Sequence, residues 1–468
     1  MMPVGVVIVG GGPTGLLLAG ELRLGGVEAI VLEQLPAPSG LSKALGVMGR
    51  GAQTLDRRGL LDRFDKTLQK PAPFAHFGGI PLDLTRLECG SPALLAPQAE
   101  VERVLAEWAL ELGAEVRRGH EVVGLAQTGE QVTLQIKGPD CAYDLVARYV
   151  VGCDGARSLV RKQAGIGFSG TPATQVSRFG DVTLTDPGAV PRGMRRTPTG
   201  MFTVVPLGDG VHRVVVSEWR TGADRDAPVT LDDLRAATGR VLGAEVGMDR
   251  PRWLSRFTDA ARQADRYREG RILLAGDAAH IQLPAGGPGM TTGIQDAANL
   301  GWKLAAQVRG RAPAGLLDTY HGERHPVGAR MLSFVRAQGV MLSPGPQVDA
   351  LRDLFGELLT EPATLRTVAD RLMGLDIRYE SGDHPLVGGW APDVKLSAGR
   401  PVLVDHTADH RLLAVAEGWR DRVDIVTAAA GEKPAGILVR PDGYVAWAHE
   451  SGADGLTEAL ARWFGPGY

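Results

Sequence analysis

Val4 to Val9 is a short, nearly unbroken apolar run, and a run without polar alternation predicts a parallel strand covered on both faces. Leu16, Leu17, Ala19, Leu22 and Leu24 then form a helical stripe, and a second apolar run, Ala29 to Leu32, ends in Glu33. Strand, helix and strand in that order predict the opening of a parallel α/β sheet. Further along, Arg271 to Ala275 reads as a buried strand, and Gly293 to Ala306 reads as a helix behind a glycine-rich loop. Between these regions Phe202 to Pro206 and Val211 to Trp219 are β-rich runs joined by Gly208-Asp209-Gly210, a hairpin signal. The apolar face of that hairpin is either plain core or a pocket wall, and Phe202, Val204, Val215 and Trp219 are the candidates for a wall. A helix is expected from Pro313 to about Met341. Strands follow at Val402 to Val404, Val423 to Val426, Ile437 to Val439 and Tyr444 to Trp447, with a closing helix from Leu456 to Phe464.

The chain of 468 residues is too long for one compact core, so about three domains are expected. Its formal net charge of −3 gives no reason to expect nucleic acid or an anionic membrane as a partner. Val4 to Ala19 is apolar, but no basic segment precedes it and glycines interrupt any spanning helix, so neither a signal peptide nor a membrane anchor is expected. The three cysteines, Cys89, Cys141 and Cys153, show neither CxxC nor zinc spacing. They suit a reduced, cytoplasmic setting with no metal site.

The glycines between the first strand and its helix give the chemistry. Gly10-x-Gly12-x-x-Gly15 is a dinucleotide fingerprint: Gly10 permits the tight turn, Gly12 lets backbone approach a pyrophosphate, and Gly15 lets helix pack on strand. Thr14 adds a hydroxyl donor. Glu33, with Gln34 beside it, falls 18 positions after Gly15, where a carboxylate accepts hydrogen bonds from a ribose 2′-OH and 3′-OH and repels a 2′-phosphate. FAD or NAD therefore suits the pocket better than NADP. A second signature, Gly276-Asp277-Ala278-Ala279-His280 with Pro284, Gly286, Gly287 and Gly289, stands before the later helix. Asp277 is placed to accept hydrogen bonds from a ribityl chain, and the amides around Gly289, Met290 and Thr291 lie at the positive end of a helix dipole, favouring negative charge on a reduced flavin. His280 reads as a loop anchor or a catalytic group.

Together these stretches, with Asp154-Gly155-Ala156-Arg157-Ser158, Arg161, Asp296 to Leu304, Leu317 to Tyr320, Glu323 to Pro326 and His384 to Gly388, resemble the group A flavoprotein monooxygenases of the para-hydroxybenzoate-hydroxylase type. Within that family the chain is most similar to the branch acting on polycyclic aromatic polyketides and rifampicin-like antibiotics. The resemblance implies an α/β fold: a Rossmann-like FAD domain from residues 1–165 and 270–340, an inserted β-sheet substrate domain at 166–269 with parts of 70–97, a helical linker at 341–383, and a thioredoxin-like domain at 384–468. That last domain has no cysteine, so packing or dimer contact is its expected role, in a monomer or homodimer.

The resemblance also implies FAD contacts from Lys43, Arg50, Gln98 in the turn before Glu102, Val122 and Asp154, with Pro284 and Gly287 against the isoalloxazine. Arg157 and Arg161 are either nucleotide contacts or surface charge, and His76 and Gln282 are possible pocket residues. Phe74 to Leu82, with its Gly78-Gly79 pair, matches another pocket wall. Lys43, Pro288 and Thr291 depart from the family's usual Arg, Gln and Asn; lysine offers a point charge where arginine offers a fork, and Pro288 removes a backbone donor.

A single nucleotide fingerprint leaves NADPH or NADH as a transient co-substrate. The implied reaction adds O2 at flavin C4a, and the hydroperoxide delivers one oxygen to an aromatic ring. Ring hydroxylation, epoxidation and Baeyer–Villiger insertion remain open alternatives, as does a non-catalytic flavin- or antibiotic-binding protein. A halogenase is disfavoured, because Trp253-Leu254-Ser255 is the nearest stretch to that family's Trp-x-Trp-x-Ile-Pro motif and does not fit.

Overall fold

Eight strands make up the largest sheet of the computed structural model, which describes residues 3–468 apart from 88–91, 220–227, 381, 393, 395, 397, 408–410 and 428–433. Cys89 lies outside the described residues. Val4–Val9 sits at the centre, parallel to Ala29–Glu33 on one side and to the second half of Ala142–Gly152 on the other. Glu115–Arg118 and Ile272–Leu274 extend the parallel order outward. Val6, Val7 and Ile8 are fully buried, as their lack of alternation requires. Helix Pro13–Leu24 packs between helices Gln98–Glu111 and Pro288–Val308. Gly20 makes that closeness possible, because the Trp108 ring fills the place of its missing side chain.

The residues expected as a substrate domain form a five-stranded antiparallel sheet in the order Gly193–Arg196, Gly200–Gly208, Val211–Glu218, Val176–Leu184, Met248–Thr258. The expected hairpin is present, and Asp209 takes a φ of 50° in its turn. Helix Leu231–Leu242 covers one face, opened by Thr230 and Asp233 in a capping box.

Helix Pro288–Val308 starts five residues before the expected Gly293, with Gly287 as its left-handed cap at φ 70° and Pro288 in the first turn. Proline is favoured there because its missing N–H has no partner to lose. Helix Thr319–Leu342 starts later than expected, since a turn closed by Leu316 N–H to Pro313 C=O precedes it. The region expected as a linker contains helices Pro346–Leu358 and Pro362–Met373, and the latter buries Leu365, Leu372 and Met373 with Phe77 and Leu82 of the 74–83 hairpin. These helices thus share a core with the body of the protein.

In the last unit Val402–Asp405 and Asp424–Thr427 run parallel through helix Arg411–Ala416, then Gly436–Val439 and Val445–His449 add antiparallel strands before helix Leu456–Phe464. A βαβ unit followed by a hairpin and a helix is the thioredoxin-like arrangement. Among the described residues no helix is long and apolar enough to cross a membrane.

Candidate active site

The three glycines of the first fingerprint do different things. Gly10 has a φ of 110°, and a Cβ there would strike the Cys153 carbonyl. A Cβ on Gly15 would overlap the Gly10 carbonyl oxygen. Gly12 is the contrary case: its φ of −81° suits any residue, and nothing lies within 4 Å of where its Cβ would stand. That space fronts the first turn of helix 13–24, where the amides of Thr14 and Gly15 have no intrahelical acceptor. A helix start facing open space accepts phosphate. Beside it, Glu33 Oε2 accepts from Gly11 N–H at 2.7 Å and Oε1 from Leu35 N–H at 2.9 Å, which orients the carboxylate and leaves lone pairs for a diol. Gln34 is exposed next to it.

Thr14 corrects an expectation. Its hydroxyl is wedged beneath Gly276, 2.7 Å from where a Cβ would be, and beneath Gly293. It packs the two signatures together, and the polar groups this turn presents to the open space are backbone amides. Asp277 is exposed to open space yet ringed by protein, so desolvation raises its pKa against the opposing charges of His280 and Lys43. This is the environment of a carboxylate on the wall of a recess. Lys43 is exposed on a loop held to helix 98–111 by Gln98, whose Oε1 accepts from Ala44 N–H at 3.3 Å and whose Nε2 donates to Glu102 at 2.8 Å. Val122 is buried at a bulge opposite Ile136.

Two expected cofactor contacts, Asp154 and Arg50, and the open candidate Arg161 are engaged with protein groups. Asp154 accepts from Ser158 Oγ at 2.5 Å and from Leu159 and Val160 N–H at 2.7 and 3.1 Å, capping a short helix. Arg161 is neither surface charge nor free: it is buried, lies 3.7 Å over the Phe168 ring, and donates to Ala278 C=O at 2.7 Å, clasping the Asp-Gly loop to the Gly-Asp loop. Arg157 is exposed. Arg50 donates to Gln53 at 2.5 Å and Leu375 C=O at 2.7 Å and lies 4.3 Å over Trp390, so it joins helix Gly49–Arg57 to the carboxy-terminal side of the molecule.

In the second loop Pro284 and Gly287 are exposed, and no atom lies within 4 Å of a Gly287 Cβ. Gln282 Nε2 comes within 3.0 Å of a Gly289 Cβ, while Gln282 Oε1 is buried without a hydrogen-bond partner. Met290 is partly buried against the FAD-domain core, and Thr291 Oγ1 accepts from Met48 N–H at 3.1 Å and donates to Met48 C=O at 3.3 Å. Gln338, which the sequence reading missed, braces this loop: it accepts from Gly78 N–H at 3.2 Å and donates to Ala285 C=O at 3.5 Å. His76 on the same hairpin has a buried, unpartnered Nδ1, and burial lowers its pKa, so the imidazole is neutral at pH 7.

The expected pocket wall was half misplaced. Phe202 and Val204 pair with Val216 and Val214, and all four pack into the core beneath helix 231–242. Phe202 is fully buried there. Val215 pairs with Thr203 on the other face, and Trp219, just past the strand, donates from Nε1 to Thr197 C=O at 3.0 Å. Phe179, Thr203 and Val215 on that other face are only half-buried, while Phe202, Val204, Val214 and Val216 on the helix side are buried, a difference that apolar residue type alone did not disclose. That other face also carries Phe179 stacked on Phe257 at 4.4 Å, the unpartnered Thr203 hydroxyl, and Arg213. Arg213 pairs bidentately with Asp181 at 2.8 Å and donates to Lys43 C=O at 3.2 Å, joining the sheet to the FAD domain. An Arg and an Asp on the same face of paired strands were the missed signal.

His280 proves to be an anchor. It is fully buried, with Nε2 2.8 Å from Asp296 Oδ2, while Asp296 Oδ1 accepts from Arg324 at 2.8 Å. Burial would raise the Asp296 pKa, but Arg324 and His280 bring it below the usual range. Farther along the helix Lys303 and Asn299 bind Glu323 at 2.7 Å each, and Arg440 pairs with both Glu323 and Asp442. Burial pulls the Lys303 pKa down to about 8 against the attraction of Glu323. Two cations and two carboxylates balance, as a buried set must.

These features fit FAD. An open helix start, an oriented acid, a recessed Asp277 and a second helix start behind an uncrowded Gly287 match a long ligand with a diphosphate, polyhydroxyl chains and a flat ring. Residues 3–335 match the FAD binding domain family, and residues 384–467 match the aromatic-ring hydroxylase C-terminal family. The chain is 45% identical to a 12-dehydrotetracycline 5-monooxygenase/anhydrotetracycline 6-monooxygenase of Streptomyces rimosus, over 98% of this chain and 99% of that one. It is 42% identical to a dialkyldecalin synthase of Streptomyces rugosporus, over 98% and 99%. The solved structure of CabE, an aromatic hydroxylase from angucycline biosynthesis, superposes with a TM-score of 0.93 at 46% identity over 100% of both chains. The chain belongs to the FAD-dependent aromatic-ring monooxygenases.

Proposed function

We propose that this enzyme hydroxylates a polycyclic aromatic compound of polyketide type, in the cytoplasm, using O2 and transiently bound NADPH or NADH. The observation that carries this reading is the second face of the inserted sheet. It is tied to the FAD domain through Arg213, and it pairs a stack of aromatic rings with an unsatisfied hydroxyl at Thr203, which suits a flat ligand bearing phenol or ketone groups. Its relatives from tetracycline and angucycline chemistry support the substrate class.

In this reading Glu33 holds the ribose diol, the amides of Gly12, Thr14 and Gly15 with Lys43 hold the diphosphate, and Asp277 holds the ribityl chain. The amides of Gly289, Met290 and Thr291, at the start of helix 288–308, favour negative charge on the ring edge that meets them. FAD, when bound, supplies the oxygen activation. The protein's part is to orient the aromatic ring, exclude water behind the loop braced by Gln338, and hold hydrogen bonds to the substrate through Thr203, Gln282 or His76. A neutral His76 Nδ1 is available to accept a phenol proton.

The dialkyldecalin synthase at 42% identity favours a second reading, a ring-forming enzyme on the same scaffold. One experiment separates the two. The FAD-loaded protein, given NADPH or NADH under 18O2 with a panel of polycyclic phenols, should yield product heavier by one 18O. Conversion without mass change or nicotinamide oxidation would support the cyclase reading, and binding without any conversion would refute both.

A further inference from the structure

We propose that the groove between helices 319–342 and 362–373 is a second ligand site, selective for a flat aromatic anion and separate from the site at the flavin loop. Helix 319–342 presents Arg330, Phe334 and Ala337 to it, and helix 362–373 presents Thr364, Val368 and Arg371. Each set lies on one helical stripe, at spacings of three, four or seven residues. Phe77 and Phe355 line the groove with Phe334, and the Phe77 ring lies 5.0 Å from both others, tilted by 54° and 31°. The cavity measures about 480 Å³. Seven residues of helix rise give a groove roughly 10 Å long, the span of two to three fused rings.

Charge selects among such ligands. The arginines come from opposite ends of their stripes, so they meet at one end of the groove. There they share a single carboxylate, Asp376, at 3.2 Å from Arg330 and 3.7 Å from Arg371. Two cations against one anion leave a net positive charge beside an apolar trough. A phenolate, enolate, carboxylate or sulfonate on a flat ring system satisfies both ends at once.

The hairpin strand keeps this groove apart from the catalytic side. Successive strand residues point to opposite faces, so Phe77 faces the groove while His76 faces away from it. The inner end nevertheless approaches the flavin helix. Arg330 and Arg371 also border a pocket of about 30 Å³, room for a water molecule, whose opposite wall is Pro288, Thr291 and Gln295. Gln295 Oε1 is buried without a partner.

The test uses the FAD-loaded protein and equilibrium dialysis with anthraquinone-2-sulfonate, which requires no turnover and so stands or falls independently of the proposed hydroxylation. Ala337→Trp and Ser333→Trp, both at exposed positions lining the groove, should each bind one equivalent less than wild type with unchanged flavin content. Arg371→Gln should weaken that equivalent about tenfold for the sulfonate and less than about twofold for neutral 2-(hydroxymethyl)anthraquinone. Equal stoichiometry in wild type and the tryptophan variants overturns the site. Equal weakening of both probes by Arg371→Gln overturns its selectivity for anions.

Discussion

Gly12→Ala separates binding from folding in the first fingerprint. The backbone at Gly12 has φ −81° and ψ −178°, an extended conformation that alanine adopts freely, and a Cβ there meets no protein atom within 4 Å. The apoprotein should therefore lose nothing and gain about 0.4–1 kcal/mol from a less flexible unfolded chain. The methyl group projects instead into the space before the helix start, where a diphosphate must approach the amides of Thr14 and Gly15. Charge-assisted hydrogen bonds contribute about 1.5–3 kcal/mol each. Losing two costs roughly 3–6 kcal/mol, a weakening of FAD binding by about a hundredfold to ten-thousandfold. Gly15→Ala is the control with the opposite signature, because its Cβ overlaps the Gly10 carbonyl oxygen and lies 3.2 Å from Ile8 Cγ2, so it should lower apoprotein stability. Flavin fluorescence titration gives the affinities and apoprotein melting gives the stabilities. A Gly12→Ala protein that binds FAD as tightly as wild type would refute the placement of the diphosphate.

Asp277→Asn should weaken FAD by about 1.5–3 kcal/mol. In wild type, affinity should rise with pH through the raised pKa of Asp277 and then level off, since only the carboxylate form accepts both hydroxyls; the Asn variant should give a flat profile between about pH 4 and pH 8. Glu323→Gln should destabilise the protein by about 3–5 kcal/mol near neutral pH, because it leaves buried cations underpaired. Burial would raise the Glu323 pKa, but Arg440 and Lys303 depress it, so its stabilisation is complete above the ordinary carboxylate pKa and is lost as pH falls below it. Urea melts should accordingly show the variant losing less stability in acid than wild type, and parallel losses would contradict the clamp. Phe202→Ala should cost about 3–5 kcal/mol of stability and leave KM alone. Thr203→Val should instead leave stability within about 1 kcal/mol and alter KM or product distribution; the reverse pattern would mean the two sheet faces are assigned backwards.

Contiguous features were legible in the sequence. Val4–Val9, Ala29–Glu33 and the closing helix Leu456–Phe464 follow their apolar patterns to within a residue, because each element's burial is written into its own residues. What required the third dimension were choices between two buried surroundings. Phe202 and Val215 look alike as apolar residues of the two hairpin strands, and only register, Phe202 against Val216 and Val215 against Thr203, puts them on opposite faces. Thr14 looked like a phosphate donor because the glycines that confine its hydroxyl, Gly276 and Gly293, lie far along the chain. The partners of Asn299 and Lys303 were equally remote, since Asp442 stands 143 positions from Asn299.

That remote partnership gives the cysteine-free carboxy-terminal unit a physical role. Asp296, Asn299 and Lys303 lie at spacings of three and four on helix 288–308, so they form one fully buried polar stripe. Asp296 binds Arg324 and His280, and the rest of the stripe binds Glu323 and Asp442, both of which accept in turn from Arg440. Apolar side chains would fill the same space at no loss of stability, because desolvation offsets most of what buried ion pairs gain. Apolar packing, however, tolerates small rotations and slides that paired, directional charges do not. A helix of this length is about 30 Å long, and its first turn meets the flavin loop. A slight rotation about its far end would shift Gly289, Met290 and Thr291 by more than a hydrogen bond allows. Arg440 and Asp442, although far from the flavin loop, therefore act on it by holding the register of the helix that forms its wall, and the buried Glu21–Arg58 pair, whose guanidinium also donates to Leu396 and Pro441 C=O, ties the same unit to helix 13–24.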